Sequence, residues 1–218
     1  MAKKDDRDVG QRRNDLVEKL VERGSIESDK VERAIRTVER EEFVPPGVRS
    51  SAYADRPLRI GEGQTISAPH MVAIMLEELD LEEGQEVLEI GTGRGYHAAL
   101  TAEIVGGSNV YTVERHEELA VKAMRNLEKQ GYQGVHVEVG DGSLGMEEYA
   151  PYDRIYVTCA APEVPDPLAD QLKVGGRMVV PVGRGRQSLY KIDKTEEGLE
   201  KTSGIAVRFV KMLGEEGF

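Results

Sequence analysis

The chain has 218 residues, 32% of them charged, with a formal net charge of −11 and a single cysteine. That length suits one α/β domain with a substantial core and a small appendage, and the acidic balance lacks the basic footprint of a nucleic-acid binder. Cys159 has no second cysteine to pair with, which fits a reducing cytoplasm, and no apolar stretch follows the charged N-terminus, so neither a signal peptide nor a membrane span is expected.

Leu16, Val17, Leu20 and Val21 recur at helical spacing within 14–23, with Gly24 as the C-cap. A second helix carries Val31, Ala34, Ile35 and Val38; Ser28 or Asp29 caps it, and Asp29 with Glu32 resembles a capping box. Phe43-Val-Pro-Pro-Gly47 ends helical structure. Residues 48–66 read as irregular. Ser67 then stands at an N-cap position, with Pro69 in the first turn of a helix whose apolar stripe is Met71, Val72, Met75, Leu76 and Leu79. From there strands and helices alternate: 85–90, 95–106, 109–114, 116–130, 135–140, 153–159, 165–172 and 177–182. Such alternation means a mainly parallel sheet covered on both faces. Gln187 to Asp193 and Gly204 to Val210 add two strands, with an antiparallel edge.

Val87-Leu-Glu-Ile-Gly-Thr-Gly-Arg-Gly95 carries the functional signal. An apolar strand ends in Glu89, and Gly91, Gly93 and Gly95 let the backbone turn sharply and admit a ligand without a Cβ in the way. Glu114 closes the next strand, 21 residues after Gly93, near the offset of about 20 at which an acid meets a ribose diol. Asp141-Gly142 ends a third strand, where the Asp can accept from an adenine amino group or cap the next helix. All three acids fall at the carboxyl ends of strands, where ligands of such sheets bind.

Two cofactor classes fit. Dinucleotide sites favour Gly-x-Gly-x-x-Gly with a pyrophosphate on the helix N-terminus. A buried acid at Glu89 would repel a pyrophosphate but suit the ammonium and sulfonium of S-adenosylmethionine, unless Glu89 only bonds the loop amides. The histidines His70, His97, His116 and His136 show neither triad nor metal-ligand spacing, so no metal is expected. Cys159 reads as a small core residue, and His70 as structural or solvent-facing.

Several blocks, in colinear order, resemble the protein-L-isoaspartate (D-aspartate) O-methyltransferase family. Gly63-Gln-Thr-Ile-Ser-Ala-Pro-His-Met71 looks like that family's own signature; Ala150 to Thr158, Gln171 to Gly176, Val180 to Gly183, Val207 to Val210 and Leu213 to Phe218 are similar to later blocks. The resemblance runs from about residue 14 to the end. It implies a Rossmann-like, three-layer α/β/α sandwich of about seven mainly parallel strands, one methyltransferase domain over 1–218, with a helical cap and substrate-side segment at about 9–66 and the core at 67–218.

The resemblance also implies methyl transfer from S-adenosylmethionine to the free α-carboxylate of L-isoaspartyl residues in damaged proteins and peptides, followed by collapse to a succinimide. Carried onto this chain, the cofactor would meet Gln64, Thr65, Ile66, Ser67, Glu89, Gly91, Thr92, Gly93, Glu114, Asp141 and Gly142, and Ser67 matches the active-site serine. A cytoplasmic monomer acting on isoaspartyl proteins, with no nucleic-acid or membrane partner, is expected. Arg94, Cys159 and Lys211 depart from the family pattern, where serine, alanine and proline are usual. The competing readings are a methyltransferase with another acceptor, a non-catalytic cofactor-binding protein and an NAD-dependent oxidoreductase.

Overall fold

The computed structural model describes residues 8–218. Fifteen regular elements run in chain order: α1 (Val9–Glu22), α2 (Asp29–Thr37), β1 (Leu58–Gly61), β2 (Gln64–Ile66), α3 (Pro69–Leu79), β3 (Val87–Ile90), α4 (Tyr96–Val105), β4 (Val110–Glu114), α5 (Glu117–Lys129), β5 (His136–Val139), β6 (Tyr152–Val157), α6 (Asp166–Asp170), β7 (Leu172–Val182), β8 (Gln187–Thr195) and β9 (Gly198–Val207). Seven strands form one sheet in the order β5-β4-β3-β6-β7-β8-β9. The first five pair in parallel, and β8 and β9 join antiparallel. This is the Rossmann-like α/β sandwich expected, and it fixes the order of the last two strands.

Residue alternation in the central strands sorts the core into two layers. Val87, Tyr156 and Val179 join the apolar cluster under α1 to α5, whereas Leu88, Ile90, Ile155, Val157, Met178 and Val180 join the one under α6. The two layers are unequal. The first is built from long helices, and the second from α6 and 3-10 turns. No helix of the described residues is long and apolar enough to cross a membrane.

Several boundaries differ from the sequence reading, each for a local reason. Helix α1 begins five residues earlier than position 14, capped by Asp8, which accepts the Gln11 amide at 2.9 Å. Ser28, not Asp29, caps α2, and Glu32 instead pairs with Arg36 at 2.8 Å. The stretch 48–66 is not wholly irregular. A 3-10 turn occupies Pro46–Ser51, and β1 and β2 form a hairpin with Gly61 opposite Gln64. Its two-residue turn, Glu62-Gly63, has positive φ at both positions (49° and 71°), the geometry that matches strand twist. Strand β7 starts at Leu172, with Gly175 and Gly176 looped out of register against β6. Strand β9 starts at Gly198 and ends at Val207.

Candidate active site

The chemistry-bearing residues gather at the carboxyl ends of β3, β4 and β6. Between β3 and α4 the loop needs glycine in earnest: Gly91, Gly93 and Gly95 have φ of 96°, 59° and 92°. A Cβ at Gly91 would lie 2.3 Å from Thr158 Oγ1, and that hydroxyl donates to the Gly91 carbonyl at 2.7 Å. Glu114 holds the loop from the other side. Its carboxylate accepts the Gly93 amide at 2.7 Å and the His116 amide at 2.9 Å. A Cβ at Gly142 would press Ile90 Cγ2 at 2.7 Å. The lack of side chains at these positions leaves a cleft of about 600 Å³, open mouth included, lined by Gln64, Thr65, Gly91, Gly93, Glu114 and Gly142 among others.

Beside it lies a smaller cavity lined by Ile66, Ser67, Glu89, Thr92 and His97, with Gly91 and Gly93 shared. Glu89 is fully buried. Thr112 Oγ1 donates to its Oε2 at 2.6 Å, while Oε1 has no hydrogen-bond partner. Burial pushes its carboxyl up to about 8, and the Thr112 hydrogen bond offsets only part of this. His97, across the same cavity, is held at about 3 by burial, with the Arg40 charge adding to the effect. Glu89 and His97 are therefore both neutral at pH 7, and Glu89 Oε1 has no hydrogen-bond partner among the described residues.

Ser67 sits where this cavity meets a third, of about 870 Å³ with its open mouth, which is lined by Ser67, His70, Met71 and the 206–210 segment. Thr65 and Thr158 border all three spaces. Ser67 is not the N-cap of α3. Ala68 holds that position, and Asp55 supplies the capping oxygen, accepting the His70 amide at 3.0 Å and meeting His70 Nδ1 at 2.8 Å. The backbone of Ser67 is fixed from below by Arg40. This fully buried guanidinium donates from Nη2 to the Ser67 carbonyl at 2.7 Å and from Nε to the Ala52 carbonyl at 2.9 Å. It also lies 4.8 Å from the ring centroid of Tyr96, the first residue of α4.

A family model described as protein-L-isoaspartate(D-aspartate) O-methyltransferase matches residues 11–217. The chain belongs to that family. It is 56% identical over 212 residues to protein-L-isoaspartate O-methyltransferase 1 of Archaeoglobus fulgidus, covering 97% of each chain. With the Methanopyrus kandleri protein-L-isoaspartate O-methyltransferase it shares 52% over 218 residues, covering 98% of this chain and 96% of the relative. Among solved structures it resembles a protein-L-isoaspartate O-methyltransferase with a TM-score of 0.85 at 34% identity, covering 94% of this chain and 67% of that one. A Plasmodium falciparum beta-aspartate methyltransferase in complex with S-adenosyl-L-homocysteine gives 0.83 at 28% identity, covering 92% and 98%.

Against the isoaspartyl methyltransferase pattern, the structure brings ten of the eleven residues named from sequence to the walls of the first two cavities and leaves one outside. Asp141 does not line the cleft. Its Oδ1 accepts the Ser143 amide (3.0 Å) and hydroxyl (2.7 Å), and Oδ2 accepts the Glu215 amide at 2.9 Å. Burial acts to raise this carboxyl, but those hydrogen bonds and Arg115 hold it below the usual range. It therefore fixes the C-terminal segment, whose Val210 to Leu213 form one wall of the cleft. Cys159 packs against the layer under α6, as a small core residue does, and also lines the cleft, with burial pushing its thiol up to about 12. Arg94 lines the Glu89 cavity, its Nε buried without a partner, and Lys211 lies 4.8 Å from the Phe218 ring centroid. Sequence reasoning missed Arg40, because Arg40-Glu41-Glu42 reads as a solvated charge run, and it gave Thr158 no role although that residue closes the block from Ala150.

Replacing Arg40 by Met should orphan the Ser67 and Ala52 carbonyls, at roughly 1–3 kcal/mol each. A urea unfolding series should show a loss of about 2–6 kcal/mol. Arg40→Lys should recover only part of it, since one ammonium lacks the planar fork that reaches both oxygens. Unchanged midpoints in both variants would remove Arg40 from this role.

Proposed function

We propose that this chain transfers the methyl group of S-adenosylmethionine to the free α-carboxylate of L-isoaspartyl residues in damaged proteins and peptides, the first step of a repair that proceeds through a succinimide. Family membership over nearly the whole chain supports the reaction. The observation that carries the assignment of roles is the Ser67 hydroxyl. It has no hydrogen-bond partner among the described residues and borders both the Glu89 cavity and the open groove beyond.

The residues present fit the cofactor. The glycine loop leaves room that any Cβ would fill, Glu114 offers a carboxylate at the β4 end for a ribose diol, and the unpartnered Oε1 of Glu89 suits an ammonium. Bound there, S-adenosylmethionine supplies a methyl carbon on a cationic sulfur, which an ionised carboxylate can attack without losing a proton. The chain then needs no general base, and its work is positioning and exclusion of water. Ser67 donates a hydrogen bond to the acceptor carboxylate. His70, its ring oriented by Asp55, lines the same groove and offers its other ring nitrogen. Thr65 and Thr158 form the partition across which the two substrates meet. The reading also takes the chain to work in the cytoplasm and as a monomer; the lone cysteine supports the first.

The direct test is incubation with methyl-labelled S-adenosylmethionine and two peptides that differ only in Asp or isoAsp. Base-labile label on the isoAsp peptide alone is expected; label on neither, with the cofactor still bound, would mean a different acceptor. A hydrogen bond to a charged group is worth about 1.5–3 kcal/mol. Ser67→Ala should therefore lower kcat/KM for the isoAsp peptide by roughly 10- to 100-fold, with the cofactor dissociation constant changed less than about twofold. Equal losses in both would make Ser67 a structural residue.

Glu89 gives a second prediction. An ammonium beside it should pull its carboxyl down from about 8, so cofactor binding at pH 7 should release close to one proton. Affinity should then rise as pH increases toward 8 and level off above it. Calorimetry in buffers of different ionisation enthalpy reads the proton count, and Glu89→Gln should abolish the release. For stability the sign is opposite. The folded pKa lies above the ordinary value of 4.5, so stability from this group is fullest below pH 4.5 and is lost as pH rises to about 8. Glu89→Gln should flatten that decline in the free protein.

A further inference from the structure

The smaller cavity beside the cleft holds a cation without a counter-charge. Arg94, in the glycine loop where serine is usual in the family, lines that cavity together with Glu89. Its Nε is buried without a hydrogen-bond partner, and the guanidinium forms no ion pair among the described residues. Burial draws its pKa down, and no nearby carboxylate opposes that shift. The chain carries 40 Asp and Glu against 29 Lys and Arg, so Arg94 is not left unpaired for want of acids. Glu89 and His97 in the same lining are neutral at pH 7, which leaves this guanidinium as the charge on the cavity's walls. The loop does not depend on it for its shape. Asn126 Nδ2 donates to the Arg94 carbonyl at 3.0 Å, and Glu114 accepts the Gly93 amide at 2.7 Å, so the backbone is anchored on both sides without the side chain.

We infer that Arg94 binds the carboxylate at the methionine end of S-adenosylmethionine, and that this cavity recognises an α-amino acid by both of its charges. The inference rests on the cofactor of the function proposed above and not on its methyl acceptor. An α-amino acid carries its ammonium and its carboxylate on one carbon. A pocket that takes it therefore has to offer a hydrogen-bond acceptor and a cation within one small space. Glu89 Oε1 is an unpartnered acceptor and Arg94 an unpaired cation, and both residues line this cavity. A guanidinium presents a fork of N–H donors that matches a carboxylate, and a buried donor is costly until it finds a partner. The isoaspartyl carboxylate is the competing anion, and placement decides against it. Arg94 lines neither the open groove that holds Ser67 and His70 nor the cleft beside Glu114 that suits a ribose. Helix α4 begins at Tyr96, two residues on, and the positive end of its dipole reinforces an anion at Arg94.

The test is calorimetric binding of S-adenosylhomocysteine and of its decarboxylated analogue, which keeps the ammonium and loses only the carboxylate. The unaltered protein should bind S-adenosylhomocysteine about tenfold or more tightly than the analogue. Arg94→Ser should cut that preference below about threefold, by weakening S-adenosylhomocysteine while the analogue's dissociation constant changes less than about twofold. Arg94→Lys should keep an intermediate preference, since the charge remains and the fork is lost. Because the readout compares two ligands on one protein, a fraction of unfolded chain does not mimic it. A preference that survives in Arg94→Ser overturns the inference, and so does the lack of any preference in the unaltered protein. Equal weakening of both ligands in Arg94→Ser overturns it too, by making Arg94 a residue that shapes the loop. None of these measurements involves methyl transfer. A preference that behaves as expected, with no label on the isoAsp peptide, would therefore defeat the proposed acceptor and leave Arg94 in its role.

Discussion

The buried guanidinium of Arg40 joins three stretches of chain that are distant in sequence. It takes the Ala52 carbonyl in the segment before the hairpin and the Ser67 carbonyl before α3, and it packs over Tyr96 at the start of α4. Tyr96 comes directly after the glycine loop. One planar donor thus sets the distance between the glycine loop and the backbone that carries Ser67. Burial pulls the pKa of the guanidinium down, but an arginine has so much range that it stays charged, and carbonyl oxygens and an aromatic face are the partners that stabilise it without a second ion. The helices of the N-terminal region are consequently part of the site's construction: without them Arg40 would be hydrated and Ser67 would lose its fixed position.

Glu89 shows what the same sheet does with a buried acid. Its neighbours in β3, Leu88 and Ile90, face the layer under α6, whereas Glu89 points to the layer under the long helices. There the Thr112 and Thr92 hydroxyls, 2.6 Å apart, form a short chain that ends on its Oε2. Desolvation favours the protonated acid in the free protein. A cation arriving in that cavity is worth more than in water because the local dielectric is low, so the cost of burying the carboxyl is offset only when the ligand is present.

How far the sequence reveals a feature depends on how local the cause of that feature is. The parallel core was legible because buried strands such as Val110 to Val113 are apolar runs, and the glycine loop because only glycine tolerates φ near 90° beside Thr158. The hairpin at 58–66 was hidden by a Glu62-Gly63 turn without the usual Asn or Asp. The sequence marked the later part of β9, from Gly204, but its first six residues, Gly198 to Ser203, were hidden because they are mostly polar, as an exposed edge requires. Asp141 stands at a strand end, where the sequence allowed a ligand contact or a cap; it caps the 3-10 turn Gly142–Leu144, and only the tertiary path of the tail reveals that it also accepts the Glu215 amide. No one-dimensional pattern marks contacts such as Arg40 to Ser67, which span 27 residues and use backbone oxygens.

The capping of α3 resolves a conflict that the sequence posed. A serine that caps a helix accepts amides of the first turn, and its oxygen is then committed to the backbone. In this protein Asp55 reaches across from the preceding segment and satisfies the His70 amide, leaving the Ser67 hydroxyl without a partner among the described residues. A carboxylate at a helix N-terminus is favourable on its own account, and Arg23 at 3.7 Å partly neutralises it. The same Asp55 oxygen also meets His70 Nδ1, so the imidazole stands between this fixed negative charge and the groove where an acceptor carboxylate would lie. One aspartate therefore does two things at once: it caps the start of the helix and frees the serine. Each depends on Pro57 and the hairpin turn returning the chain from residue 55 to 67, which is why the short β1-β2 ribbon belongs to the site as much as the strands of the sheet do.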